Sequence, residues 1–322
     1  MCDQWKTTPS LFAQELSTKQ LYSFVDSASR MKAAVIVITG GEPFLRSDIF
    51  NIISYIRNKG IACHICSNGT LLDEVAVRKI KNAGLNSIAV SLDSNCEKIH
   101  NTIRGVNCFS TVTEGIKRLR DIAPGIKIGI NCVITKQNFH DIHRMILFAE
   151  KLGVDQIKFD PIHTHLMHRT KSCLSFGGLL FEKSDFPELL QEIDKLIRVA
   201  SQTKLLTNST IFLKGIEQLY GGSFPRFRCY SGYISCAIDA FGRVSPCDNF
   251  EGVESIRDKP LEQIWNSPAF QNLRCKVQEC KTNCWDTTHG ELNIRCSLRG
   301  LMHELDHVCK EIKFYLSCDD KT

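Results

Sequence analysis

Ala34-Val35-Ile36-Val37-Ile38-Thr39-Gly40-Gly41-Glu42-Pro43 is a short β-branched run that ends in a glycine pair, an acid and a proline. Consecutive rather than alternating apolar positions predict a strand buried on both faces, as in a parallel sheet. The glycine pair lets a ligand approach the backbone closely, because no side chain stands in the way. Pro43 fixes the turn and Glu42 supplies an acceptor for a cationic group. Taken alone, a tight strand-to-helix turn with a solvated glutamate accounts for these residues equally well.

The same pattern repeats outward as far as residue 160. Further strands are predicted at Ile61–Cys66, Ser87–Leu92, Ile126–Thr135 and Gln156–Phe159, following Ala34–Thr39 at intervals of roughly 26 to 40 residues. The helices between them close with glycine: Gly60 after Asn51–Lys59, Gly84 after Asp73–Ala83 and Gly153 after Asn138–Leu152. Glycine suits the left-handed position that ends a helix. An earlier helix runs from Thr18 to Ala28, where Ser17 and Gln20 resemble a capping box and Leu21, Phe24, Val25 and Ala28 form the apolar stripe. Strands alternating with helices imply a parallel sheet, and its ligands belong at the carboxyl ends of the strands. Ser67-Asn68-Gly69-Thr70, Asp93-Ser94 and Asp160-Pro161 fall in those places.

From residue 161 the pattern dissolves. His163, His165 and His168 sit with Gly177 and Gly178 in a polar stretch that reads as an exposed connector rather than a metal site. A helix at Pro187–Ala200 and an apolar segment at Ile211–Leu219 follow. The region after Cys229 is short of helix signals and dense in cysteine and glycine, so a domain change is expected between 161 and 228, giving units at 1–160, 161–228 and 229–322.

The chain of 322 residues holds 16 cysteines, far more than an ordinary enzyme needs. No 18-residue apolar run crosses a membrane, and the first twenty residues lack a basic start followed by an apolar core. A cytoplasmic, reducing location is therefore expected, which favours metal ligation over disulfides. Cys63, Cys66 and Cys132 lie inside apolar runs and are expected to fill core space as small hydrophobes. The net charge of +5 is mixed along the chain, so neither a nucleic acid nor a membrane is expected as partner.

Met1-Cys2-Asp3-Gln4-Trp5 resembles the end of the Cys-x3-Cys-x-Met-Cys-Asp-x-Trp segment of radical S-adenosylmethionine enzymes, and the glycine–glutamate–proline turn follows about 40 residues later as it does there. The resemblance continues through Ser67 to Leu72, Ser91 to Ser94, His100 to Gly105 and Asn138. It implies an α/β fold, a partial (β/α)6 TIM-like barrel without its first strand. It also implies a [4Fe–4S] cluster with Cys2 as one ligand, and S-adenosylmethionine bound by Gly40, Gly41, Glu42 and Pro43. Ser91 matches a contact to the cofactor's carboxylate, Arg104 a looser one, and Asn131 a contact to its ribose. In the family, an electron from the cluster releases a 5′-deoxyadenosyl radical that takes a hydrogen atom from the substrate, while the protein orients and shields. No cysteine precedes Cys2, so two of the three expected ligands are absent and the chain as given is expected not to perform that cleavage.

Cys229, Cys236, Gly242 and Cys247, followed by Cys280-x3-Cys284, resemble the auxiliary-cluster domain called SPASM, or its shorter form, twitch. The resemblance implies that Cys229, Cys236, Cys247 and Cys284 hold one [4Fe–4S] cluster, with Cys280 a further metal candidate; a four-cysteine zinc site is the alternative. Asp248 falls where some such enzymes place a proton acceptor. The expected function is an oxidoreductase-type radical enzyme acting on a peptide or other large substrate, served by a low-potential electron donor such as flavodoxin or ferredoxin. A non-catalytic scaffold with a cysteine-rich metal site is the other reading.

Overall fold

A computed structural model describes residues 14–162, 178–221, 227–282 and 284–316; Cys2, His163, His165 and His168 lie outside them. Five parallel strands stand side by side in chain order, β1 (Val35–Ile38), β2 (Ala62–Ser67), β3 (Ser87–Ser91), β4 (Lys127–Ile134) and β5 (Gln156–Pro161). Each lies within a few residues of its expected place. Helix α1 (Thr18–Arg30) precedes β1, and the helices that cross between the strands are α2 (Ile49–Asn58), α3 (Glu74–Ala83), α4 (Glu97–Arg104), α5 (Phe109–Ile122) and α6 (Arg144–Leu152).

Local chemistry sets these boundaries. Ser17 and Gln20 close a reciprocal capping box on α1, and the Asp73 carboxylate accepts the Ala76 N–H at the start of α3. Gly84 and Gly153 end α3 and α6 at φ of 76° and 71°, a conformation that costs other residues about 1–2 kcal/mol. Two helices between β3 and β4 replace the single motif that sequence reading found around His100–Gly105. Their join is held by Asn101, whose Oδ1 accepts the backbone N–H groups of Cys108 and Phe109.

Residues 186–316 add α7 (Phe186–Ala200) and α8 (Thr210–Gly221), an antiparallel sheet of β6 (Ala237–Ile238), β7 (Arg243–Ser245) and β8 (Glu254–Ser255), and five more helices. These are α9 (Leu261–Trp265), α10 (Pro268–Glu279), α11 (Gly290–Arg295), α12 (Leu298–His303) and α13 (Leu305–Leu316). The expectation of little helix beyond Cys229 is thereby corrected. Three of the five are six residues or shorter, too brief to show a helical period, and packing stabilises them rather than propensity. Gly242 turns the chain between β6 and β7 at φ 89°, and the Asp239 carboxylate accepts the Phe241 and Arg243 N–H groups within that turn.

The main core runs through the strands and their helices and continues without a break into Phe212, Leu213, Ile216, Trp285 and Ile294. Each such side chain contributes roughly 1.5–3 kcal/mol when fully buried. A smaller core of Val244, Leu261, Ile264, Phe270 and Leu273 lies under the antiparallel sheet. Of the three expected fillers, Cys63 and Cys132 are fully buried in the main core, whereas Cys66 is only half-buried. Helix α13 packs against β2 and β4: Phe314 approaches to within 3.3 Å of where a side chain on Gly129 would begin, and Tyr315 meets His64 edge-on at 4.9 Å.

Candidate functional site

The first strand turn is open where a ligand would need it. Gly40 takes φ 136°, which glycine alone adopts freely, and a Cβ on either Gly40 or Gly41 would meet nothing within 4 Å. Pro43 starts a short 3-10 turn capped by Glu42, whose Oε1 accepts from Phe44 N at 3.2 Å and from Ser67 Oγ at 3.0 Å. Its Oε2 accepts from Asn68 N at 2.7 Å. Burial raises the Glu42 carboxyl's pKa, and these three donors oppose the rise. Glu42 therefore ties the turn after β1 to the turn after β2, beyond the acceptor role read from sequence.

Ser91, Asn131 and Lys158 form one cross-strand row on β3, β4 and β5, and Ser91 and Asn131 are half-buried. Arg104 lies near this end of the sheet, but its Nε pairs with the buried Asp93 carboxylate at 2.6 Å. Asp93 in turn accepts the Val133 N–H at 3.0 Å, and Asn138 bridges the backbone carbonyls of Asp93 and Val133 at 2.6 and 2.8 Å. The Asp93 and Asn138 positions thus lock the loops after β3 and β4 together. Asp160, at the carboxyl end of β5, accepts from Thr287 N at 2.8 Å and Thr287 Oγ1 at 3.1 Å. Burial, then the neighbouring Asp286, pushes the Asp160 carboxyl up to about 7.

A second site lies in the C-terminal region. Cys229, Cys247, Cys280 and Cys284 line one cavity of about 270 Å³, together with Arg228, Asn249, Lys281 and His289. The four thiols come from the start of the region, the loop after β7, and the segment after α10. Burial pushes the Cys247 thiol up to about 11 and the Cys284 thiol up to about 12, with neighbouring cysteines adding to each rise. Thiols so placed are costly to ionise until a cation replaces their protons, which suits a metal centre. Cys236 is outside this lining: it packs against the smaller core near Arg274, and burial pushes its thiol up to about 11. Asp248 is exposed and also outside the lining, while the next residue, Asn249, turns inward and donates Nδ2 to Cys284 Sγ at 3.1 Å. Sequence reading passed over Asn249, because nothing in a lone Asn marks it as a sulfur partner.

A buried ion cluster under the sheet was also illegible. Lys158 contacts Glu311 at 3.0 Å and Glu291 at 3.9 Å, and donates to the Thr207 carbonyl at 3.0 Å. Arg295 completes it against Glu311 at 2.5 Å. Burial opposes the charge on Glu291, but Lys158 and Arg295 outweigh it and hold its carboxyl below the usual range. Glu291, His307 and Glu311 could present ligand atoms within 4.8 Å of one another. Two cations already balance the two carboxylates, so a divalent ion would add uncompensated buried charge. The cluster is a structural clamp.

The radical SAM superfamily model matches residues 1–149, and the model of the iron–sulfur cluster-binding domain SPASM matches residues 229–286. The AdoMet-dependent heme synthase of Nitratidesulfovibrio vulgaris is 24% identical over 312 residues, covering 92% of this chain and 83% of that protein. Among solved structures, Streptococcus suis SuiB bound to precursor peptide SuiA superposes with a TM-score of 0.62 at 17% identity, over 85% of this chain and 63% of SuiB. This chain therefore spans just under two thirds of SuiB. Native anSMEcpe with bound AdoMet superposes with a TM-score of 0.60 at 17% identity, over 93% of this chain and 86% of the other. The parallel sheet thus resembles the core of a radical SAM (β/α) barrel.

Proposed function

The chain carries a radical SAM domain followed by a SPASM iron–sulfur domain, and on that premise we propose that it is a radical enzyme modifying a peptide or other large substrate, with an auxiliary [4Fe–4S] cluster in its C-terminal region. The observation that carries this reading is the convergence of Cys229, Cys247, Cys280 and Cys284 on one cavity. Four thiols around such a space fit the donor set of a [4Fe–4S] cluster. Cys280 takes the place that the sequence resemblance gave to Cys236.

In the barrel, the open turn at Gly40 and Gly41 would receive the methionine end of S-adenosylmethionine, with Glu42 and Pro43 shaping the approach. Ser91 and Asn131 stand in one row where the cofactor's polar groups would lie, and Cys2 is proposed as one ligand of the radical-generating cluster. When bound, that cluster and S-adenosylmethionine supply the electron and the radical. The residues of this chain orient the cofactor and exclude water. Arg104 would aid indirectly, by holding Asp93 and the loop it anchors. Asp248 would take a proton released by the substrate, and a low-potential donor such as flavodoxin or ferredoxin would supply electrons.

Peptide substrates are supported by the likeness to SuiB with its precursor peptide. A haem-type tetrapyrrole is the second reading, supported by the match to heme synthase along 92% of this chain. Anaerobic reconstitution tests the cluster. About four irons and four sulfides per auxiliary site are expected. Alanine at Cys247 or Cys280 should remove them, while alanine at Cys236 or Cys63 should not. One zinc per chain, with no iron taken up, would overturn the reading. Titration with iron-coproporphyrin, followed through its visible absorbance, separates the substrates: saturable binding at one equivalent favours the tetrapyrrole, and none favours the peptide.

A further inference from the structure

The loop after β7 does more than present a cysteine. Cys247 is followed by an exposed Asp248 and then by Asn249, which lines the cavity beside four thiols. The side-chain amide of Asn249 donates to Cys284 Sγ at 3.1 Å, across 35 positions of sequence. This contact opposes the rise that burial imposes on the Cys284 thiol. A thiolate offers only lone pairs, so the amide must present Nδ2 rather than Oδ1 to Cys284. The loop is built to hold this posture: Phe250 N donates to Cys247 O at 3.2 Å, Ser245 Oγ donates to the same carbonyl at 3.1 Å, and Phe250 packs on the smaller core.

From this geometry we propose that Asn249 is a positioning residue that sets the reduction potential of the auxiliary cluster by donating a side-chain N–H···S hydrogen bond to its ligand Cys284. The inference rests on the reading that Cys229, Cys247, Cys280 and Cys284 hold that cluster. Reduction adds negative charge, and that charge spreads onto the thiolate sulfurs. Donors aimed at those sulfurs stabilise the reduced form more than the oxidised one, so the potential rises.

The test is an anaerobic redox titration of the reconstituted chain with dithionite, following the reduced cluster by electron paramagnetic resonance, for wild type, Asn249→Asp and Asn249→Leu. Both variants remove the side-chain donor. Wild-type iron and sulfide content with a more negative midpoint in both is expected, and the shift should be larger for Asn249→Asp, which adds a negative charge beside Cys284. An unchanged midpoint at full iron content overturns the proposal and leaves the cluster reading intact. Loss of iron from both variants, with the fold retained by circular dichroism, also overturns it in favour of a role in assembly. A wild-type chain that takes up no iron overturns the cluster reading and the proposal together.

Discussion

Gly41 and Asp160 show how single residues at the barrel's carboxyl end separate binding from folding. A Cβ on Gly41 would enter open space, so a larger side chain there costs the fold little and fills the room a ligand needs. Gly41→Val should leave the urea midpoint within error of wild type and abolish S-adenosylmethionine binding by calorimetry; unchanged affinity would make the turn merely structural. Asp160 is different, because its carboxyl is raised to about 7 by burial and by Asp286. A carboxyl whose folded pKa lies above its unfolded value stabilises the fold at acid pH and loses that contribution as the pH climbs from about 4 through 7. Between pH 5.5 and 8 the urea midpoint of wild type should therefore fall relative to that of Asp160→Asn. A constant offset between the two would show that Asp160 does not titrate in this range.

Elements are joined by side chains that nothing local would reveal. In α8, Gly215 has no room for even a methyl group: its Cβ would lie 1.8 Å from the Trp285 ring, which stacks on Phe212 and donates Nε1–H to the Phe212 carbonyl at 2.9 Å. A glycine inside a helix costs about 1 kcal/mol in propensity, and here close approach of Trp285 offsets it. Gly215→Ala should destabilise the chain by about 3 kcal/mol, the upper end of overpacking, despite the better helix former. A gain in melting temperature would refute the packing account. Glu262 of α9 pairs with Arg30 of α1 at 2.6 Å, which ties α9 to the first helix of the barrel. Arg30 is exposed and Glu262 is partly so, so this pair contributes at most about 1 kcal/mol.

For the whole molecule, the buried cluster of Lys158, Glu291, Arg295 and Glu311 is the joint that fixes helices α11 and α13 beneath β5. Lys158 is 3% exposed and Glu311 2%, so neither charge can be left to water. Lys158→Met would leave two carboxylates facing one guanidinium in the interior. The expected loss is about 3–5 kcal/mol, read as a lower denaturation midpoint, and Lys158→Met combined with Glu311→Gln should recover part of it. A single variant as stable as wild type would mean that the cluster is solvated. No helix among the described residues is long and apolar enough to cross a membrane.

The sequence by itself determined the βα order, the strand positions and the glycine-ended helices, because each is a local pattern of side-chain period and backbone permission. It also marked the Gly40–Pro43 turn and the cysteine-rich end, since rare residue types at short spacings are visible without coordinates. Only the tertiary structure decided which thiols converge: Cys280 lines the cavity and Cys236 does not, although the resemblance gave Cys236 a ligand's place and Cys280 only a further candidacy. The Asn249–Cys284 bond, the Asp160–Thr287 contact and the Lys158 cluster likewise join residues 35 to more than 100 positions apart. Burial and charge pairing at such separations depend on how elements pack, and no local pattern encodes that distance.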